Sequence, residues 1–191
     1  MPEEVWVIPP LARTLRAPSD VTDENPTVHR RRSGVPDPGK TQVSVIGSGA
    51  EHEGRAEELG RLLAERGCVV VTGGQGEVMA AASRGAKAAG GKTVGILPGE
   101  SRTAANEWVD YAVVTGIGHA RNLAVVASGD AVIAIGGSWG TLAEIAFARR
   151  LGRPVVVLEP GWEVAGEGIE RAATPEEAVE LALRLRPARP G

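Results

Sequence analysis

From residue 43 onward, short apolar runs alternate with stretches whose apolar residues recur at helical spacing. The runs Val43-Ser44-Val45-Ile46, Cys68-Val69-Val70-Val71 and Thr93-Val94-Gly95-Ile96-Leu97 predict strands, the last ending at Pro98-Gly99. So do Tyr111-Ala112-Val113-Val114, Ala131-Val132-Ile133-Ala134-Ile135 and Pro154-Val155-Val156-Val157-Leu158, the last clear strand. Between them, Ala56, Leu59, Leu62 and Leu63 mark a helix that stops at Gly67. Further helices are expected from Val78, from Arg121 to Ala127 and over residues 142–151. A final helix opens with Thr174 as cap, Pro175 at its first position and Glu177 completing a capping box. Short, almost wholly apolar strands alternating with helices imply a parallel sheet covered on both faces, hence a Rossmann-like α/β domain. In such a sheet the loops at the carboxyl ends of the strands form the site.

Residues 1–40 break this rhythm. They hold seven of the thirteen prolines and mix charges without periodicity, which predicts a loosely ordered extension ahead of a single domain over 41–191. Within it, Val5-Trp6-Val7-Ile8 could add an edge strand, and His29-Arg30-Arg31-Arg32 reads as a solvated charge run. A length of 191 residues suffices for a real core. The net charge of −3 and an aromatic content of 3% argue against a nucleic-acid or anionic-membrane surface. The lone Cys68 rules out an internal disulfide and disfavours a cysteine metal site. The acidic N-terminus lacks a leader-like apolar core, so a cytoplasmic location is expected.

The chemistry gathers in glycine turns that follow strands and precede helices. Thr72-Gly73-Gly74-Gln75-Gly76-Glu77 and Gly136-Gly137-Ser138-Trp139-Gly140-Thr141 each join a strand to a helix start. There, close backbone approach and free N–H groups suit a phosphate-bearing ligand. An earlier turn, Gly47-Ser48-Gly49-Ala50, begins like a dinucleotide fingerprint, but His52 stands where the third glycine belongs. A full dinucleotide site is therefore disfavoured, and a P-loop is absent. Arg121, in Gly118-His119-Ala120-Arg121-Asn122, and Glu144 lie on loops at the same sheet edge. Each has an ordinary reading: Arg121 as a surface arginine, and Glu144 as the last member of a capping box Thr141-Leu142-Ala143-Glu144 in the first turn of its helix. Trp139 is read as packing over its loop or stacking on a base, and His119 as structural or solvent-facing.

Taken together, Gly73-Gly74-Gln75-Gly76-Glu77-Val78-Met79, Arg121 and Gly136 through Glu144 resemble the LOG-type cytokinin-activating phosphoribohydrolases. Within that group they are most similar to the small bacterial branch placed with molybdenum cofactor carrier proteins. The likeness spans about residues 43–186. Gly137, Gly140, Thr141, Glu144 and Arg121 match the phosphoribohydrolase pattern. Gly136 stands for its proline, Ser138 for a glycine, Ala143 for a glutamate and Asn122 for a basic residue. The resemblance implies cleavage of the N-glycosidic bond of a nucleoside 5′-monophosphate, with Arg121 and Glu144 catalytic. The phosphate or nucleotide would lie among Gly47, Ser48, Gly49, Gly73, Gly74, Gly76, Glu77, Gly136, Gly137, Ser138, Trp139, Gly140 and Thr141. It also implies a homodimer, faintly supported by the small residues Ala80 to Ala86. No metal and no cofactor is expected. The alternative is a non-catalytic carrier for molybdenum cofactor or another phosphorylated ligand, and a third possibility is a nucleotide sensor.

Overall fold

The computed structural model describes residues 40–160 and 163–187. The proline-rich extension, with Val5-Trp6-Val7-Ile8 and the basic run, lies outside the described residues. Seven parallel strands form one sheet in the order β4-β3-β2-β1-β5-β6-β7. They are β1 (Gln42–Ser48), β2 (Val69–Thr72), β3 (Lys92–Leu97), β4 (Tyr111–Val114), β5 (Ala131–Gly136), β6 (Val155–Leu158) and β7 (Ile169–Ala172). The helices are α1 (Glu53–Glu65), α2 (Glu77–Ala88), α3 (Arg121–Ser128), α4 (Trp139–Arg150) and α5 (Pro175–Leu185). This is the Rossmann-like α/β architecture that the alternation predicts.

Successive strand residues point to opposite faces, and both faces are covered. Val43, Val45, Ile133, Ile135, Val156 and Leu158 pack under α1, α2 and α5. Their neighbours Ile46, Val132, Ala134, Val155 and Val157 pack under α3 and α4. Two-sided burial is why the central strands are apolar without alternation, each large aliphatic side chain contributing about 1.5–3 kcal/mol. β7 is a strand beyond the last one predicted. Its sequence Ile-Glu-Arg-Ala is half exposed at the sheet edge, where charge discourages pairing with other chains, so it offers no apolar run to recognise.

The small residues of α2 serve an internal contact. A Cβ on Gly60 would lie 1.9 Å from the Ala82 carbonyl oxygen, and one on Gly85 would lie 1.8 Å from that of Glu57. The stretch from Ala80 to Ala86 therefore seats α2 on α1 of the same chain, and supplies no separate argument for a dimer.

β1 pairs with β2 on one side and β5 on the other. Chain connections leave these strands toward opposite faces, so a crevice opens at their carboxyl ends. There the backbones crowd: a Cβ on Gly47 would sit 2.0 Å from the Ile135 carbonyl oxygen.

Candidate functional site

Three strand-to-helix turns and the entry to α3 surround the crevice. In the turn after β2, Thr72 Oγ1 accepts from the Gly74 N–H at 3.0 Å. Gly74 has φ +74° and lies against the Gly95 backbone, where a Cβ would be 3.1 Å from the Gly95 Cα. Gly76 is the residue before α2, and Glu77 is its exposed first residue. In the turn after β5, Gly136 and Gly137 have φ +56° and +135°, conformations that favour glycine.

α4 begins earlier than its apolar pattern suggests. Its cap is Ser138, and its capping box joins Ser138 to Thr141, with the Ser138 N–H donating to Thr141 Oγ1 at 3.4 Å. The predicted box from Thr141 to Glu144 does not form, because Thr141 is already inside the helix. Glu144 is the sixth residue of a helix that starts at Trp139, beyond the first turn. Capping therefore does not explain this carboxylate.

Glu144 is nevertheless buried, at 8% exposure, and its side chain forms no hydrogen bond among the described residues. Burial raises its carboxyl to about 7, with the nearby Arg121 guanidinium pulling the other way. Burial likewise lowers the Arg121 pKa from its ordinary value, offset by Glu144. Arg121 is the first residue of α3. Its guanidinium rests on Gly73, where a Cβ would come within 1.8 Å of Nη1. Its Nε is buried without a hydrogen-bond partner. An unpaired donor in such a place is costly unless a ligand supplies an acceptor.

Charge distinguishes the helix starts around the crevice. α1 has Glu53 in its first turn, with Glu51 just before it, and α2 has Glu77. The Glu51 carboxylate lies over Gly49, at 2.8 Å from where a Cβ would be. Neither α3 nor α4 has an acidic residue in its first turn. The first N–H of α3 is already bonded to the Gly118 carbonyl by the preceding 3₁₀ turn, so the start of α4 is the more favourable for an anion.

A polar cluster that sequence reasoning missed closes the α1 side. The His52 ring packs on Gly136, and its Nδ1 and Nε2 lie 3.3 Å from Glu159 and 3.4 Å from Glu51. Arg55 pairs with Glu159 at 2.9 Å. Glu159 itself has φ +50°, the left-handed conformation, and its carbonyl accepts from the Gly136 N–H at 3.0 Å. The misfit of His52 to the dinucleotide fingerprint was the available signal.

The remaining predicted residues sit on the rim. Ser48 ends β1, opposite Gly136 of β5. Trp139, the first residue of α4, is 69% exposed. His119 is exposed, and Asn122 lies near Gly140, its amide nitrogen 3.9 Å from where a Cβ would be. No group of three or more His, Cys, Asp or Glu side chains suited to a metal occurs among the described residues. Nor is any described helix long and apolar enough to cross a membrane.

The architecture and sequence have clear counterparts. A molybdenum cofactor binding protein from Rippkaea orientalis is 35% identical, with a TM-score of 0.71, over 77% of this chain and 98% of that one. The molybdenum cofactor carrier protein of Chlamydomonas reinhardtii is 32% identical, with the same TM-score and coverage. An uncharacterised protein of Archaeoglobus fulgidus is 43% identical over 145 residues, 74% of this chain and 94% of its own length. The SLOG cluster4 family model matches residues 40–186, from the start of β1 through α5. The whole described sheet, the glycine turns and the Arg121–Glu144 pair fall inside that match, and the chain belongs to the SLOG cluster4 family.

Proposed function

We propose that this protein binds a small phosphorylated ligand of the molybdopterin kind and holds it as a carrier does. The observation that carries this reading is the Arg121 guanidinium, with its buried unpaired Nε, beside the acid-free starts of α3 and α4. A phosphate placed there would give Nε its acceptor and meet the N–H groups at the start of α4. Glu144, titrating near 7, is partly neutral at physiological pH and can donate a hydrogen bond to a ring nitrogen or oxygen as well as accept one. Similarity to the two molybdenum cofactor proteins supports the choice of ligand. The test is to denature purified protein, identify released ligand by mass, and titrate stripped protein with AMP and with adenosine. A phosphorylated pterin, and binding of AMP far above adenosine, are expected. Equal affinity for AMP and adenosine would refute the phosphate site.

The second reading is the LOG-type hydrolysis of a nucleoside 5′-monophosphate. It is favoured by the finding that Glu144 is not a cap but a buried carboxyl coupled to Arg121. In its ionised form Glu144 would stabilise positive charge growing on the ribose, and Arg121 would hold the phosphate. Asn122 and Ala143, where the phosphoribohydrolases carry a basic residue and a glutamate, weigh against it. Free base released from a nucleoside monophosphate, and none from the matching nucleoside, would establish this activity.

A homodimer belongs to either reading. Tyr111 and Val113 on the edge strand β4, with Ile117 and Leu123 after it, are 58%, 47%, 56% and 43% exposed, apolar surface that a second copy would cover. Light scattering at micromolar concentration decides this, and a monomer would remove the proposal.

A further inference from the structure

The connection from β3 to β4 carries no covering α-helix. Residues 98–110 include a single 3₁₀ turn at Arg102–Ala104, where Ser101 Oγ accepts from the Thr103 N–H at 3.2 Å. This connection is tied to the glycine turn after β2. The Asn106 N–H donates to the Gly74 carbonyl at 2.8 Å. The Asn106 side-chain Nδ2 donates to the same carbonyl at 3.1 Å and to that of Gln75 at 3.4 Å. Its Oδ1 accepts from the Trp108 N–H at 3.1 Å, and Gln75 Nε2 returns a bond to the Ala104 carbonyl at 3.3 Å.

A turn built from glycines is conformationally permissive and needs outside ties to keep one shape. Here the ties are Thr72 Oγ1 on the Gly74 N–H and Asn106 on the two following carbonyls. The turn so fixed includes Gly73, the bed on which the Arg121 guanidinium rests. An ionised Asp at this place would turn its oxygens on carbonyl oxygens, whereas the amide supplies donor and acceptor together. We infer that Asn106 is a positioning residue for Arg121: by clamping Gly74 and Gln75 it holds Gly73 against the guanidinium and keeps that group aimed into the crevice. Its importance for ligand binding rests on the reading above that Arg121 receives the phosphate.

The test begins without ligand, by following the Glu144 carboxyl through its titration by carbon NMR. Arg121 holds that titration down, so Asn106→Ala should raise it by about half a pH unit or more as the guanidinium drifts. Arg121→Ala should raise it too, and Asn106→Ala should add nothing in the Arg121→Ala background. A role confined to loop stability would leave the Glu144 titration unmoved. The second arm uses AMP as probe in calorimetry, with Asn106→Asp and thermal melts to confirm folding. At about pH 8 the variant should bind about tenfold more weakly than the parent. An unmoved Glu144 titration, or equal losses from Asn106→Asp with and without Arg121, would overturn the inference. Failure of the parent protein to bind AMP would count against the phosphate reading, while the Glu144 titration still decides the part played by Asn106.

Discussion

Replacing Glu144 by Gln should stabilise this protein at alkaline pH and leave it nearly unchanged in acid. The carboxyl titrates near 7 in the folded state because burial disfavours its charge, against an ordinary value of 4.5. At pH values between these two, the folded state binds more protons at this site than the unfolded chain does. Stability contributed by the protonated form is therefore complete below about 4.5 and lost as pH rises through about 7. At about 1.4 kcal/mol per pH unit, the ionised Glu144 costs the folded state about 3 kcal/mol above neutrality. Gln keeps the size and polarity of the side chain and removes only the charge. For a chain of this length, about 3 kcal/mol corresponds to about 6–12 °C in Tm. Paired melts of parent and Glu144→Gln from about pH 5 to about pH 8 should converge at the acid end and separate by that amount at the other. Parallel curves would mean that Glu144 ionises normally, and the account of a buried carboxyl that Arg121 compensates only in part would fail.

Other perturbations follow from single contacts. Gly73→Ala places a methyl where Arg121 Nη1 now lies, 1.8 Å away, so it should displace the guanidinium and weaken AMP binding at least tenfold in calorimetry. Arg121→Ala should weaken AMP by about 100-fold and adenosine hardly at all, since a charge-assisted phosphate contact is worth about 1.5–3 kcal/mol. Gly85→Ala meets backbone rather than a flexible side chain, the Glu57 carbonyl at 1.8 Å, and should lower stability by about 1–3 kcal/mol in denaturant titrations. An anion bound beside Glu144 favours its protonated form, so AMP affinity should strengthen from about pH 8 toward about pH 6, more in the parent than in Glu144→Gln.

The fold was legible because its strands are buried on both faces, which leaves continuous runs such as Ala131 to Ile135 and Val155 to Leu158. β7 was hidden by the converse: an edge strand buries little and spells Ile-Glu-Arg-Ala. The start of α4 was misjudged because Trp139 and Gly140 are poor helix formers, whereas the informative pair was Ser138 with Thr141. The later start also made capping an ordinary reading of Glu144, which the true start at Trp139 removes. Arg121 and Glu144 could be chosen from sequence because each follows a strand at the same sheet edge and matches the phosphoribohydrolase pattern. The ties around them could not. His52 meets Glu159 across 107 residues and Asn106 meets Gly74 across 32, and no local pattern encodes such pairings.

The backbone-to-backbone seating of α2 on α1 has a mechanical consequence. Where Gly60 and Gly85 bring main chain onto main chain, no side chain stands between the helices to change rotamer and absorb a displacement. The two helices form one stiff jaw, and the turns that feed them, at Gly47 to Gly49 and Gly73 to Gly76, are carried on it as a fixed anvil. α3 and α4 meet through side chains such as Val126, Ile145 and Ala148, whose packing can slide. A ligand of the kind proposed above would find its give on that side, which carries Arg121 and Glu144.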